Sequence, residues 1–301
     1  MSANEQLLYA LQTKTVLAGQ EGLPSILGYP HCIDAWRQHR MYGLIRPLVE
    51  GGAEGRWLTI GDSGADAAAL VKAGIPPGQV IASSLCAAQL KRLEERGLLP
   101  GIEIREVNAE AIPLATDGID FVLAKEVYHH LPRPALGLYE MLRVARQAVV
   151  LIEPLDFLGR PLDRLRDLVK SLMRRKYVQG EFECYGNYTY RLSLRETRKI
   201  MTAMSYPDMY VRRFNDFGNN ASGEPTSNVY QMSLHRLAFA TQDLLASLSL
   251  MSWGKAAVVL SKRPLPERIT GALAAAGFRR CVLPKNPYFT AASAAPHPLP
   301  G

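Results

Sequence analysis

Cysteine is scarce in this chain, and its spacing gives no sign of a zinc site or a disulfide framework. The 301 residues include four cysteines, at positions 32, 86, 184 and 281, and none forms a C-x-x-C pair. No apolar run approaches the roughly 20 residues that a membrane-spanning helix needs. The polar opening MSANEQLLYALQTK does not have the pattern of a signal peptide. We therefore predict a reduced, cytoplasmic protein without a structural zinc or a transmembrane segment.

A strong excess of one charge is also absent. The chain has 35 basic and 28 acidic residues, a net charge of +7 with histidine neutral. Such a balance is compatible with an anionic substrate, a nucleic acid or a membrane surface, and it selects none of them. The densest basic run, RLRDLVKSLMRRK at 164–176, fits a solvated helix face or a contact with an anionic partner. No basic stripe is interleaved with aromatics, so no nucleic-acid partner is predicted.

Apolar residues, at 48% of the chain, are sufficient for one sizeable core with appendages. Between residues 57 and 154, short apolar segments typical of strands alternate with helical patterns. This alternation predicts an α/β fold in which helices cover both faces of a largely parallel sheet. The run AVVLI at 148–152 lacks the alternation of a half-exposed strand, so we expect it inside the sheet. Ligands of such sheets bind outside the carboxyl ends of the strands.

The flanking segments are helical or irregular in pattern. Helical spacing before the pair Gly51-Gly52 predicts N-terminal helices, and Ser193 with Glu196 is typical of a helix start with a capping box. After the last apolar strand, an appended helix and strand are predicted, followed by a Pro-rich disordered tail. The predicted organisation is N-terminal helices at 1–52, a cofactor-binding half at 53–154, a lid insertion at 155–192, the remaining core with a loop insertion at 193–263, an appendage at 264–290 and the tail at 291–301.

Several strand-end segments are typical of one enzyme family. NAEAIPLATDGIDFVLAKEVYHHL, at 108–131, combines an acidic residue, an apolar-Pro pair, a strand start with phenylalanine and aspartate, and a turn with histidines. The helix ALGLYEMLRVAR and the strand VVLIEP follow in order. Over roughly residues 35 to 262 the chain resembles the class I S-adenosylmethionine-dependent methyltransferases. The resemblance implies a Rossmann-like seven-stranded α/β sheet with helices on both faces, a lid after the fifth strand and S-adenosylmethionine as cofactor.

A narrower resemblance is carried by GDSGADA, KEVYHHLPRP, GNYTYRLSLRE and LPKNPY. These segments are similar to those of a bacterial subgroup associated with polysaccharide or other sugar modification. It implies a small-molecule acceptor, such as a sugar or a nucleotide-linked compound. The basic residues at 174–176 could meet the phosphate of a nucleotide-linked acceptor. The oligomeric state does not follow from these patterns.

The resemblance places the cofactor at the strand ends and the turns that follow them. Glycines in the first turn let the backbone pass close to a ligand, an acid there can accept from the cofactor's ammonium group, and an amide after the third strand can accept from its adenine. The implied cofactor-binding residues are Gly61, Asp62, Gly64, Asp66, Ser83, Ser84, Asn108, Ala109, Glu110 and Lys125.

One position departs from the family pattern. The second strand usually ends in an acidic residue that binds both ribose hydroxyls, whereas this chain has Ser83 and Ser84 there. A serine makes one uncharged bond, and charge-assisted hydrogen bonds are roughly twice as strong as neutral ones. This departure favours an alternative function, a degenerate methyltransferase-like protein that binds the cofactor weakly or not at all and acts as a partner or scaffold.

The turn KEVYHHLPRP follows the fourth strand, which in the family lies beside the reacting sulfonium. Methyl transfer needs an aligned acceptor and often the removal of its proton. Histidine suits proton removal near neutral pH, so His129 and His130 are the first candidates for the base, with Glu126, Tyr128 and Glu153 as alternatives. A structural role for the histidines is the competing interpretation. Adjacent histidines lack the i, i+4 spacing of a helical metal site, so no metal is predicted.

Aromatic residues cluster in the segment after the fifth strand and suit stacking against sugars or planar rings. The predicted acceptor-binding residues are Tyr177, Tyr185, Tyr188, Tyr190 and Arg191. A lid that packs these aromatics onto the core is the alternative. The sequence as a whole predicts a methyltransferase acting on a small molecule, with a sugar or glycan hydroxyl as the favoured acceptor. Methylation of nitrogen or carbon in a natural product is the remaining enzymatic alternative.

Overall fold

The chain is built around one eight-stranded mixed sheet. The computed structural model describes residues 6–7, 9–10, 27, 32–156, 159–173, 182, 188–216 and 229–288. The strand order is β3-β2-β1-β4-β5-β7-β6-β8. The strands are β1 (Trp57–Ile60), β2 (Val80–Ser84), β3 (Glu103–Glu106), β4 (Ile119–Lys125), β5 (Ala145–Pro154), β6 (Asp208–Phe214), β7 (Lys255–Ser261) and β8 (Arg279–Val282).

The first five strands are mutually parallel, as the strand-helix alternation predicts. β7 runs antiparallel to both β5 and β6, which gives the sheet its mixed character. The sheet has eight strands rather than the seven that the resemblance implies, because the segment predicted as an appended strand joins it. The segment Arg279–Val282 pairs antiparallel with β6, because β6 would otherwise leave an unpaired edge of backbone N–H and C=O groups.

Helices cover both faces of this sheet. They are α1 (Ile33–Tyr42), α2 (Arg46–Glu50), α3 (Ala65–Ala73), α4 (Ala88–Glu95), α5 (Pro134–Val144), α6 (Pro161–Met173), α7 (Leu194–Ala203), α8 (Val229–Ser247) and α9 (Glu267–Ala275). Within the described ranges, no helix is long and apolar enough to cross a membrane. The single N-terminal pattern after residue 32 is divided at Gly43 into α1 and α2.

Two core clusters, one on each face, position the strand ends. The first includes Trp57 and Phe121, whose rings stack with centroids 4.6 Å apart. The second includes Leu138 and Met201, from α5 and α7, packed on the opposite face. Residues 148–152 of β5 are at most 1% exposed, which confirms that this apolar run lies inside the sheet.

Helix α8 did not follow from the sequence patterns. Its Phe239 stacks on Trp36 of α1 at 5.4 Å, and the Arg40 guanidinium lies 4.9 Å from the Phe239 ring. Helix α7 begins as predicted, since the Ser193 hydroxyl accepts from the backbone N–H of Glu196. The capping box is half formed, because the Glu196 carboxylate pairs with Lys199 instead.

Candidate active site

The turn between β1 and α3 depends on its two glycines for packing. Gly61 has φ 65° and Gly64 has φ 96°, both in the region that side chains rarely adopt. A Cβ on Gly61 would lie 2.5 Å from Val127, and one on Gly64 would lie 2.4 Å from Leu93. The fold itself therefore requires glycine at both positions, in addition to any contact with a ligand.

Asp62 is buried and serves the backbone of the same turn. Its Oδ1 accepts from the backbone N–H groups of Gly64 (2.6 Å) and Asp66 (3.1 Å). Its Oδ2 accepts from the N–H of Ala67 (2.9 Å) and the hydroxyl of Thr59 (2.8 Å). Burial, together with the charge of Asp66, raises the pKa of Asp62 to about 7. This carboxyl group caps the N-terminus of α3 and fixes the turn.

Asp66 and Lys125 form a buried pair behind the turn. The Lys125 Nζ lies 3.6 Å from Asp66 Oδ1, and the Tyr42 hydroxyl donates to that same oxygen at 2.6 Å. Burial raises the pKa of Asp66 despite the opposing charge of Lys125. Burial would lower the pKa of Lys125, but the charges of Asp66 and Glu126 outweigh it and raise that pKa. The pair therefore links the end of β4 to α3.

The serines at the end of β2 differ in their surroundings. Ser83 is fully buried, and its hydroxyl donates to the backbone carbonyl of Thr59. Ser84 has no hydrogen-bond partner for its hydroxyl among the described residues, and it is the register neighbour of Glu106 on β3. Glu106 is exposed, and its Oε2 accepts from the backbone N–H of Ala87 at 3.4 Å. A carboxylate thus stands beside the serine, on the neighbouring strand.

The segment after β3 is tied to the N-terminal region. The Asn108 Oδ1 accepts from the backbone N–H of Glu110 at 2.9 Å, and Ala109 between them is buried. The Glu110 carboxylate accepts from the backbone N–H of Arg133 at 2.7 Å and from its Nε at 2.6 Å. The hydroxyl of Tyr9 also bonds to this carboxylate. Glu110 is therefore engaged by protein groups, one of which is Tyr9 from the N-terminal segment.

Glu126 belongs to a charge network at the ends of β4, β6 and β7. It has φ 57°, and its carboxylate accepts from Lys255, which also contacts Asp216 at 2.7 Å. Arg37 donates to both oxygens of Asp216, at 2.6 and 2.7 Å. Burial would raise the pKa of Asp216, but Arg37 and Lys255 outweigh it and hold that pKa at about 2. Burial would also raise the pKa of Glu126, but the charges of Lys255 and Lys125 outweigh it and lower that pKa.

His129 and Glu153 form a second group at the ends of β4 and β5. The Glu153 Oε2 lies 2.7 Å from His129 Nδ1, and Glu153 is fully buried. The other oxygen, Oε1, accepts from the backbone N–H groups of Val127 (2.7 Å) and Tyr128 (2.9 Å). Because an ionised carboxylate only accepts hydrogen bonds, it favours the tautomer with the proton on Nδ1 and the lone pair on Nε2. The centroids of the His129 and His130 rings lie 3.9 Å apart.

Part of the predicted aromatic group joins this second group. The backbone N–H of Tyr190 donates to the His129 carbonyl at 3.0 Å, and the Tyr128 and Tyr190 rings meet edge to face at 6.2 Å. Tyr188 lies 6.3 Å from Tyr190. Burial, with a smaller effect from Tyr190, raises the pKa of Tyr128. Of the other predicted acceptor residues, Arg191 is half-buried, and Tyr177 and Tyr185 lie outside the described residues.

The structure divides the catalytic candidates into two groups. His129, His130, Tyr128 and Glu153 lie together, whereas the carboxylate of Glu126 faces Lys255. Among the described residues, no three His, Cys, Asp or Glu side chains form a cluster that could hold a metal ion.

The fold and the site define a doubly wound α/β protein with polar groups at the carboxyl ends of its parallel strands. Residues 58–152 match the methyltransferase domain family. The match spans β1 to β5, including the turn after β1 and His129, and it ends one residue before Glu153. The finding supports an S-adenosylmethionine-dependent methyltransferase, with S-adenosylmethionine as the cofactor. A comparison with curated protein sequences gives no match.

Solved structures with a similar arrangement include the YcgJ protein from Bacillus subtilis, with a TM-score of 0.49 and 18% identity, covering 75% of this chain and 100% of that chain. A SAM-dependent methyltransferase from Archaeoglobus fulgidus has a TM-score of 0.47 and 14% identity. The alignment covers 75% of this chain and 94% of that chain. Magnesium protoporphyrin IX methyltransferase from Synechocystis PCC 6803, solved with bound SAH, has a TM-score of 0.46 and 12% identity. The alignment covers 75% of this chain and 82% of that chain.

Several residues of the site did not emerge from the sequence patterns. Lys255 opens an otherwise apolar strand, and a lone lysine there is a usable signal for a buried ion pair. Glu106 lies two residues before Asn108 at the end of a predicted strand, where ligand contacts were already expected. Arg37, Asp216 and Tyr9 come from separate segments, so only the folded chain brings them to the site.

Proposed function

We propose that the chain transfers a methyl group to a hydroxyl of a small-molecule acceptor, a sugar or glycan precursor, with His129 as the general base. The observation that carries this proposal is the hydrogen bond between His129 Nδ1 and the fully buried Glu153, 2.7 Å long. A hydroxyl must lose its proton as the new bond forms, whereas a neutral amine already has a free lone pair. A base oriented by a carboxylate therefore favours an oxygen acceptor.

The polar groups at the strand ends fit the cofactor. S-adenosylmethionine offers an ammonium group, two ribose hydroxyls and an adenine amino group, all of which need acceptors. Glu126 has a side chain 28% exposed, and its oxygen that does not accept from Lys255 is suited to the ammonium group. Asn108 Oδ1 accepts one bond from Glu110 and has a second lone pair suited to the adenine amino group. We assign the ribose hydroxyls to Glu106 together with Ser84, since Glu106 supplies the charge that the serine lacks.

Asp62, Asp66 and Lys125 have an indirect role in this proposal. Their side chains are buried and occupied by one another, by Tyr42 and by backbone groups. They hold the turn at 61–64 and the end of β4 in place, which fixes the backbone groups available to the cofactor. Glu110 acts in the same way, because its carboxylate binds Arg133 and Tyr9.

When bound, S-adenosylmethionine supplies an electrophilic methyl group. Glu153 keeps the proton of His129 on Nδ1, so the Nε2 lone pair is free to take the proton of the acceptor hydroxyl. The Nε2 atom makes no hydrogen bond to any described residue, which leaves it available for this transfer. The buried carboxylate then stabilises the positive charge that the imidazole acquires.

The acceptor is proposed to lie near Tyr188 and Tyr190. Both side chains are nearly half exposed, at 45% and 47%, and they neighbour Tyr128 and His129. Aromatic faces with hydroxyl edges suit the apolar faces and hydroxyls of sugar rings. Tyr128 keeps its proton at neutral pH because its pKa is raised, so it would act as a hydrogen-bond donor rather than a base.

The test is a turnover assay with the full chain, S-adenosylmethionine and a panel of free sugars, nucleotide-linked sugars and amines. S-adenosylhomocysteine release is the readout. We expect turnover with hydroxyl acceptors and a loss of about 10²-fold or more in His129→Ala. His39→Ala, an exposed histidine on α1, is the control and should retain wild-type turnover.

A fall of less than about threefold in His129→Ala would reject the base. Turnover only with amines would replace the hydroxyl acceptor with a nitrogen acceptor.

A further inference from the structure

A basic groove is formed by residues other than the strand-end residues assigned above. It has a volume of about 500 Å³ and runs along α7 and the outer strands β6 and β8. None of the proposed cofactor, base or acceptor residues lines it. Five arginines line it. Arg212 donates to the backbone carbonyl of Ala276 at 2.5 Å, and the four that remain for a ligand are Arg195, Arg198, Arg213 and Arg279.

These arginines have no acidic partner among the described residues, and no Asp or Glu lines the groove. Elsewhere the chain pairs its arginines, as with Arg143 and Glu140 at 2.7 Å. The contrast is sharpest at two neighbours on β8. Arg280 pairs with Asp208 at 2.9 Å, whereas Arg279 faces the groove. These guanidinium groups raise the positive potential along the groove, which favours an anion from outside the chain.

The remaining lining is apolar and includes an aromatic ring. Trp253 is half-buried and packs with Met209 and Val211 of the second core cluster. A flat or apolar portion of a ligand can rest on such a floor while its charges reach the arginines. A volume of about 500 Å³ matches small-molecule pockets, which span roughly 300–1,000 Å³.

We propose that this groove binds a small molecule with two or more phosphate groups beside a planar or apolar portion, as in a nucleoside diphosphate. Guanidinium groups bind phosphate oxygens through paired hydrogen bonds, and several of them around one groove favour more than one phosphate. The proposal does not depend on which acceptor is methylated or on the role of His129.

Calorimetric titration of the full chain with uridine diphosphate tests the proposal, with pyrophosphate and uridine as separate arms. We expect uridine diphosphate to bind in the micromolar range, pyrophosphate more weakly and uridine not measurably. Binding should weaken as salt increases, because the contacts are ionic. Arg198→Gln and Arg279→Gln should each weaken binding about tenfold.

The matched control is Arg268→Gln, an exposed arginine on α9 without an ion pair among the described residues. It should leave the binding of uridine diphosphate unchanged. S-adenosylhomocysteine affinity, measured in parallel, should be the same in all three variants, which separates this groove from the cofactor site. The proposal is overturned if neither phosphate compound binds, or if Arg268→Gln weakens binding as much as Arg198→Gln. Tighter binding of a single-stranded oligonucleotide than of uridine diphosphate would also overturn it.

Discussion

Replacing Glu153 with glutamine isolates the feature that carries the proposed chemistry. The two side chains have nearly the same shape, and the glutamine carbonyl can still accept from the backbone N–H groups of Val127 and Tyr128. The atom facing His129 Nδ1 becomes an NH₂ group, which donates. The imidazole must then accept at Nδ1 and place its proton on Nε2. The substitution therefore reverses the tautomer of the proposed base with little change in packing.

The expected cost follows from this reversal. A neutral imidazole protonated on Nε2 cannot take a proton there, and the buried charge that stabilises the imidazolium is lost as well. Positioned bases contribute about 10²–10⁴-fold, so turnover of Glu153→Gln should fall by about 10²-fold or more. The affinity for S-adenosylhomocysteine should change by less than about threefold, because Glu153 is fully buried and is not assigned to the cofactor.

Two measurements check this prediction. Single-turnover release of S-adenosylhomocysteine gives the rate, and ¹⁵N chemical shifts of the His129 ring give the tautomer directly. The reasoning is refuted if the shifts show that the proton stays on Nδ1 in Glu153→Gln. It is equally refuted if the tautomer reverses and turnover stays within about threefold of wild type.

Two further predictions concern stability and pH. Asp216 has a pKa of about 2, below the usual 3.8, so its ionised carboxylate stabilises the fold by about 2 kcal/mol above pH 4. This contribution to the free energy of unfolding is lost as the pH falls from 4 to 2. Asp216→Asn leaves Arg37 and Lys255 without their shared carboxylate, so urea unfolding at pH 6 should show a loss of about 3–5 kcal/mol; a loss below about 1 kcal/mol contradicts this. The Asp62 pKa is raised to about 7, so the ionised form is penalised and stability should fall as the pH rises from about 4 to 7. Asp62→Asn should flatten that slope in urea titrations across this range, and an unchanged slope would exclude Asp62 as its source.

The alternation of strands and helices could be predicted because it depends on local patterns. The helix at Ala65–Ala73 follows directly from an apolar strand and a glycine turn, and the fully apolar run at 148–152 indicates an interior strand. Helix α8 lacks an equally clear stripe. Leu237 and Leu244 are 64% and 58% exposed, while Phe239 is buried against α1, so the apolar spacing does not mark one face.

The candidate site could be predicted only as a set of strand ends. His129 and Glu153 were both candidates from the sequence, but their hydrogen bond joins residues 24 positions apart and depends on the pairing of β4 with β5. Asp62 has the residue type expected of a ligand contact, yet its oxygens are taken by backbone donors of its own helix. The acid that we propose in place of one at Ser84 is Glu106 on the adjacent strand, and only the register of β2 with β3 pairs the two positions.

Calorimetric titration with S-adenosylhomocysteine tests most directly whether these strand ends form a working cofactor site. We predict micromolar binding by the full chain and an affinity about tenfold lower in Glu106→Gln, because a charged hydrogen-bond acceptor is lost. Glu103→Gln, at the other end of β3, is the matched control and should bind like wild type. Equal affinities in the two variants would contradict the role of Glu106, and no binding at millimolar ligand would contradict the cofactor site itself.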